Sequence, residues 1–206
     1  MVLRGEETMC RCKYPRVVKR RGINLLEDEK GERCYKITFE LGTIGSKMLV
    51  ISRAPKKVEE NSCDCMYKRI IKFLEINKDE IGEIQELTIV NLFTLYEYSK
   101  EDLYEKCLSE GRRYIEGNDE YFYNDEIIAE EIHNADYILA AWGSPLESLE
   151  EIYVERVELV LKSLRHELFN SSTKKHVVRV GEVSKKGYPK HSLAWSYNDE
   201  MKNLFE

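Results

Sequence analysis

The sequence predicts an α/β protein with a mainly parallel central sheet of about four or five strands flanked by helices. Short, continuous apolar runs recur along the chain, as in strands that are covered on both faces. Segments with apolar residues at helical spacing separate these runs. Strand–helix–strand units of this kind form parallel sheets wrapped by helices. The 206 residues are enough for one sizeable domain with its own core.

The regular elements begin at residue 34. CYKITFEL alternates apolar and polar residues, which predicts an edge strand or half of a hairpin. Buried strands are predicted at KMLVIS (47–52), ELTIVNLF (86–93), DYILAAW (136–142) and HVVRVGEV (176–183). Helices are predicted between them, at 64–77, 99–108, 124–135 and 147–168. We assign the polar residues 1–33 to a basic, cysteine-containing extension and residues 34–206 to the α/β domain.

Charge and hydropathy exclude some classes of partner. The net charge is −6 and the isoelectric point is near 5.5, which disfavours a protein that binds long duplex DNA. No apolar run is long enough to span a membrane, and the first residues lack the apolar core of a signal peptide. We therefore expect a cytoplasmic protein with no membrane partner. The basic segment 11–21 could contact nucleic acid, or it could be a solvated arm, which we favour.

The six cysteines allow two interpretations. In an intracellular protein they are expected to be reduced thiols. The CRC and CDC pairs could combine into a four-thiolate zinc site made of Cys10, Cys12, Cys63 and Cys65. Zinc sites more commonly use C-x2-C spacing, so half-buried thiols are the favoured interpretation. We expect no metal and no cofactor.

Four loops are candidates for a binding site, because ligands of parallel sheets bind beyond the carboxyl ends of the strands. They are the first loop (52–57), the second loop (91–98), the third loop (142–145) and the fourth loop, which follows residue 183. The first loop reads SRAPKK, and its Arg53, Lys56 and Lys57 suit an anion such as phosphate. The alternative is a solvated cationic loop.

The second and third loops favour a ligand that contains a heterocyclic base. Asn91 and Phe93 lie at the end of the second buried strand, where an amide and an aromatic ring could hold a base by hydrogen bonds and stacking. Trp142 and Gly143 lie at the end of the third buried strand, where a glycine lets the backbone approach a ligand. The alternatives are a core phenylalanine, a core tryptophan and a turn glycine.

The fourth loop contains the histidine most suited to chemistry. His191 could donate a hydrogen bond to a developing negative charge on a base or a phosphate. Lys185 and Lys190 lie near it in a loop shaped by glycine and proline. The alternative is an ordinary surface histidine.

Taken in order, several motifs resemble those of an uncharacterised bacterial and phage family known only as a domain of unknown function. They are SRAPK, DCMYKR, NLFT, the pair Asn124–Asp125, AAWGS and SKKGYPKHSL. That family in turn resembles the uracil-DNA glycosylase superfamily. The resemblance implies a three-layer sandwich from about residue 35 onward. It also implies that Asn91 recognises the base, that His191 stabilises charge on it, and that Ala54 occupies the polar first-loop position.

The first loop departs from the family pattern at the position that performs hydrolysis. Ala54 stands where the family has Asn, and a methyl group cannot orient water. Ser52 replaces a glycine, Lys56 replaces a serine, and Ser192 replaces the proline after the histidine. Asp64, which opens the predicted helix, matches the family and is a candidate catalytic base for water.

Three functions follow from these observations. The favoured one is binding of a nucleotide or nucleobase-containing ligand in a glycosylase-like pocket, without the ancestral hydrolysis. The second is an enzyme that cleaves an N-glycosidic bond in a nucleotide or a modified DNA base, with His191 and Asp64 as catalytic residues. The third is a scaffold that binds a protein partner, as a phage-type inhibitor would, through the basic segment or the helix at 147–168.

Overall fold

The computed structural model describes residues 11–96, 100–118 and 123–206. The strands within them are β1 (Arg11–Cys12), β2 (Ile23–Glu27), β3 (Cys34–Glu40), β4 (Ser46–Ser52), β5 (Cys63–Asp64), β6 (Ile84–Asn91), β7 (Tyr137–Ala140), β8 (His176–Val180) and β9 (Met201–Asn203). The helices are α1 (Cys65–Ile76), α2 (Lys78–Ile81), α3 (Lys100–Glu110), α4 (Arg112–Glu116), α5 (Asn124–Asn134) and α6 (Glu150–Asn170). Short 3-10 helices lie at Arg20–Gly22, Glu147–Leu149 and Ser192–Ala194.

Seven strands form one mixed sheet in the order β2-β3-β6-β4-β7-β8-β9. The four central strands, β6, β4, β7 and β8, run parallel to one another. The outer pairings, β2 with β3, β3 with β6 and β8 with β9, are antiparallel. The sheet is therefore larger than the predicted four or five strands, and it is mixed rather than mainly parallel. The β3 strand lies between β2 and β6, so it is half of a hairpin and not an edge.

The four predicted apolar runs form the parallel centre because their side chains are buried on both faces of the sheet. Along β4, Met48 and Val50 pack in one hydrophobic cluster, whereas Leu49 and Ile51 pack in the other. This alternation is the two-residue period of a strand. Side chains of α1 cover the first face, and side chains of α5 and α6 cover the second. No helix in the described residues is long and apolar enough to cross a membrane.

The basic segment, residues 11–21, packs against residues 59–64, which connect the first loop to α1. β1 pairs with β5, and the Arg11 guanidinium is 3.1 Å from the Glu59 carboxylate. Arg20 donates a 2.9 Å hydrogen bond to the Asn61 side chain. Val18 is buried in the first hydrophobic cluster. From residue 11 onward, this segment is therefore packed against the domain and is not a free arm.

Cys65 departs from the expectation that all cysteines are reduced, because it is disulfide-bonded. Four other cysteines are free thiols: Cys12, Cys34, Cys63 and Cys107. Cys10 lies outside the described residues.

Candidate functional site

The first and second loops leave the sheet side by side. Ser52 and Asn91 are the last residues of the neighbouring parallel strands β4 and β6, and they lie opposite each other in the pairing register. Beyond the strands, the backbone N–H of Phe93 donates a 2.9 Å hydrogen bond to the carbonyl of Arg53. Because β7 pairs with the other side of β4, the third loop starts at the same edge of the sheet.

Asn91 carries a buried carboxamide at the end of β6. The residue is completely buried, and neither its Oδ1 nor its Nδ2 has a hydrogen-bond partner among the described residues. Its backbone carbonyl accepts a 3.0 Å hydrogen bond from Asn124 Nδ2. A buried polar group without a partner costs about 1–3 kcal/mol. Such a group in a folded protein calls for an explanation, for example an ordered water, an ion or a ligand.

His191 lies in the fourth loop as a neutral hydrogen-bond donor. Its Nδ1 accepts a 3.3 Å hydrogen bond from the backbone N–H of Leu193, which leaves the proton of the neutral ring on Nε2. Burial and the nearby positive charges of Arg53 and Lys56 lower the pKa of His191 to about 4. The first and fourth loops are therefore close enough to interact electrostatically, and the imidazole is uncharged at neutral pH.

The third loop lies directly against His191. Gly143 has a φ of +75°, and a Cβ added to it would lie 2.8 Å from the Cβ of His191. The Tyr153 hydroxyl on α6 is within hydrogen-bond distance of the Trp142 and Gly143 carbonyls, at 2.9 and 2.8 Å. Trp142 is almost completely buried, and its indole N–H has no partner among the residues described. The third loop is thus fixed by the Tyr153 hydroxyl and packs against His191.

The first loop is fixed through its backbone. The N–H of Lys56 donates to the Tyr67 hydroxyl at 2.8 Å, and the same hydroxyl donates to the Lys56 carbonyl at 2.7 Å. Tyr67 is fully buried on α1, and burial raises its pKa well above the ordinary value. Ala54 is also buried, whereas Arg53 and Lys56 are half-buried. The loop therefore holds two cationic side chains on a rigid backbone.

A buried arginine on α6 contacts the backbone of the second loop. The sequence pattern did not single it out as a site residue. Arg156 on α6 is 2% exposed, and its Nε donates to the Leu92 carbonyl at 3.1 Å. Its guanidinium is 2.5 Å from the Asp125 carboxylate. The available signal is its position between Tyr153 and Val160 on the apolar stripe of α6. An arginine there must face the interior and requires polar partners.

Three of the predicted lysines lie apart from this arrangement. Lys57 is exposed, with its Nζ 4.7 Å from the ring centroid of Tyr96, and it lines a separate pocket of about 640 Å³. Lys190 forms a 2.8 Å ion pair with Asp199. Lys185 is exposed to solvent. The structure therefore brings Arg53 and Lys56 close to His191, but gives these other cations different surroundings.

Other predicted residues have structural surroundings. Asp64 is the N-cap of α1, where its Oδ1 accepts a 2.7 Å hydrogen bond from the backbone N–H of Met66. Phe93 is fully buried, with its ring centroid 6.3 Å from that of Tyr153. Cys12 and Cys63 lie in the separate β1–β5 pair. The described part of the chain contains no group of three or more metal-ligating side chains suited to a metal ion.

Comparison with known proteins identifies a family but no activity. Residues 35–193 match a family model described as "Protein of unknown function (DUF1643)". The matched region includes all four loops up to His191. The chain matches no curated protein and no solved structure.

Proposed function

Because the chain belongs to the DUF1643 family, whose description assigns no activity, we propose from its site that it binds a nucleotide or another nucleobase-containing ligand. The observation that carries this proposal is the buried Asn91 carboxamide, whose donor and acceptor both lack a partner among the described residues. A nucleobase edge presents an acceptor and a donor side by side, and asparagine pairs with such an edge through two hydrogen bonds.

The residues around Asn91 supply complementary chemistry for the rest of such a ligand. Arg53 and Lys56 would bind a phosphate, because both are cationic and their loop is fixed at the backbone by Tyr67. His191 would donate its Nε2–H to a carbonyl of the base or to a sugar oxygen. A neutral imidazole can do this without adding a third positive charge.

The remote resemblance to uracil-DNA glycosylases supports the same proposal. Four central parallel strands lie between two helical layers, an asparagine ends one strand, and a Trp-Gly pair and a histidine loop lie beyond others. We propose that the domain is a glycosylase-like three-layer sandwich whose sheet has been extended by antiparallel outer strands. A small ligand also agrees with the net charge of −6 better than a long duplex does.

Binding without hydrolysis is favoured by two residues. Ala54 places a buried methyl group at the position implied for orienting water. The Asp64 carboxylate caps α1 and is therefore already engaged. N-glycosidic cleavage remains a second candidate because of one observation: a neutral histidine beside two cations can stabilise charge on a departing base.

A thermal-shift panel of adenosine, uridine and their 5′-monophosphates tests the proposal on the full chain. At a ligand concentration a hundredfold above the dissociation constant, stabilisation is about 2.7 kcal/mol. In the wild type, a monophosphate should stabilise the protein more than the corresponding nucleoside does. The Arg53→Ala/Lys56→Ala variant should lose this difference. The matched control, Lys162→Ala/Lys174→Ala, removes two exposed lysines and should keep it. No shift with any of the four compounds, or an unchanged preference in the first variant, would contradict the proposal.

Product analysis separates binding from cleavage. The compound that shifts the melting temperature is incubated with the protein and analysed by chromatography. Recovery of the intact compound supports binding. Release of a free base that is lost in His191→Ala would instead identify the protein as a glycosidic-bond hydrolase.

A further inference from the structure

Two free thiols face each other across a short antiparallel strand pair. Cys12 of β1 is the direct partner of Cys63 of β5, and both are reduced. Directly opposed residues of antiparallel strands have Cα atoms about 4.5–5.5 Å apart. Disulfides need Cα separations of roughly 4.4–6.8 Å. The backbone therefore already holds this pair at a distance suited to a disulfide.

The two thiols differ in their access to solvent. Cys63 is 2% exposed, whereas Cys12 is half-buried. Burial, followed by the charges of Cys12 and Asp64, raises the pKa of the Cys63 thiol to about 11. An external oxidant therefore meets Cys12 first, and Cys63 reacts as an internal, sheltered partner.

We propose that Cys12 and Cys63 form a reversible disulfide that fastens the N-terminal strand to the segment between the first loop and α1. The neighbouring Cys65 is already disulfide-bonded, so this part of the fold accommodates oxidised cysteine. The inference does not depend on the identity of the ligand.

The chemistry is a thiol–disulfide exchange with a small disulfide such as oxidised glutathione. The Cys12 thiolate attacks one sulfur of the oxidant, whose S–S bond breaks and releases one thiolate. Cys63 then loses its proton and attacks the Cys12 sulfur, which releases the second thiolate. The protein gives up two electrons and two protons, and the oxidant is reduced to two thiols.

The bond would strengthen contacts that already hold the two segments together. Val58 and Cys63 form an isolated antiparallel β-bridge through their backbones, and the Tyr14 hydroxyl donates a 2.8 Å hydrogen bond to the Glu59 carbonyl. The Arg11–Glu59 ion pair adds a further contact. Oxidation would thereby lock residues 58–64, which connect the first loop to α1, against the N-terminal strand.

Peptide mapping of the full chain tests the inference. The protein is treated with oxidised glutathione, its remaining thiols are alkylated, and it is digested without reductant for mass spectrometry. The expected result is a peptide pair linked through Cys12 and Cys63, which is lost after dithiothreitol. Cys12→Ser should abolish the link and leave Cys63 open to alkylation on unfolding. Cys107→Ser, which alters a free thiol elsewhere, should retain the link.

Two results would overturn the inference. One is a glutathione adduct on Cys12 that never resolves into the linked pair. The other is that both thiols in the untreated protein resist alkylation until a chelator is added, which would indicate metal ligation. Because the link is read on the unmutated chain, the result does not depend on whether the variants fold.

Discussion

Replacing Gly143 with alanine is expected to push His191 out of its position. Gly143 has a φ of +75°, and its new Cβ would lie 2.8 Å from the Cβ of His191, where contact normally needs about 3.5–4.0 Å. The neighbour is the base of a side chain and not a flexible end, so the fourth loop must move as a unit. The substitution therefore combines backbone strain with a steric overlap.

Gly187 offers a matched control for the strain. Its φ is +83°, and an added Cβ meets nothing within 4 Å. Both alanine variants bear the cost of a left-handed residue, about 1–2 kcal/mol. Only Gly143→Ala adds overpacking, which costs about 1–3 kcal/mol. We expect the free energy of unfolding to fall by about 2–5 kcal/mol in Gly143→Ala and by about 1–2 kcal/mol in Gly187→Ala.

Urea unfolding at neutral pH measures both losses under the same conditions. Nitrogen-15 spectra of labelled histidine add a local readout, because the His191 signals should shift in Gly143→Ala and stay in place in Gly187→Ala. Equal losses of stability, together with unshifted His191 signals in both variants, would refute the packing of the third loop against the fourth.

Three further predictions test the groups that build the site. The pKa of His191 is about 4 in the fold against an ordinary 6.5, so the unfolded chain binds more protons between these pH values. The stability that this group contributes is complete above pH 6.5 and is lost by pH 4, and it amounts to at most about 3 kcal/mol. Urea unfolding across this range should therefore show a shallower pH slope for His191→Gln than for the wild type. Tyr67→Phe leaves the Lys56 peptide group without its partner and should cost about 1–3 kcal/mol, whereas Tyr104→Phe on the exposed face of α3 should change stability by less than about 0.5 kcal/mol, both by urea unfolding. Arg156→Met removes the partner of a buried backbone carbonyl and of a partly exposed carboxylate, and calorimetry should show a loss of about 2 kcal/mol or more; an unchanged melting temperature would argue against this ion pair.

The parallel centre of the sheet could be predicted because burial on both faces leaves a clear trace in the sequence. Met48 to Ile51 are all apolar, since each faces one of two hydrophobic clusters. The outer strands leave no such trace. β2 is largely half-buried or exposed, and β9 has three residues, none of them buried. Their pairing depends on distant partners, so neither the number of strands nor the mixed direction of the sheet follows from local patterns.

The candidate site could be predicted at the level of loops and not of individual contacts. The strand-end rule selects the loops that carry Asn91, Gly143 and His191, because parallel strands end at one edge of the sheet. It does not separate Lys56 from Lys57. That separation comes from the Tyr67 hydroxyl, which fixes the first loop from a helix later in the chain. Side-chain direction within a loop is set by such distant contacts, which the local sequence does not contain.

The most direct test of the central claim is calorimetric titration of adenosine and uridine 5′-monophosphates into the wild type and Asn91→Leu. Leucine has the same number of side-chain heavy atoms as asparagine but neither a donor nor an acceptor. Asn24→Leu, on the exposed part of β2, is the control. We expect one of the monophosphates to bind the wild type and the control equally. We expect Asn91→Leu to bind it at least about tenfold more weakly, a loss of about 1.4 kcal/mol, while remaining at least as stable as the wild type. Equal affinity in all three proteins, or no binding to the wild type, would contradict the account.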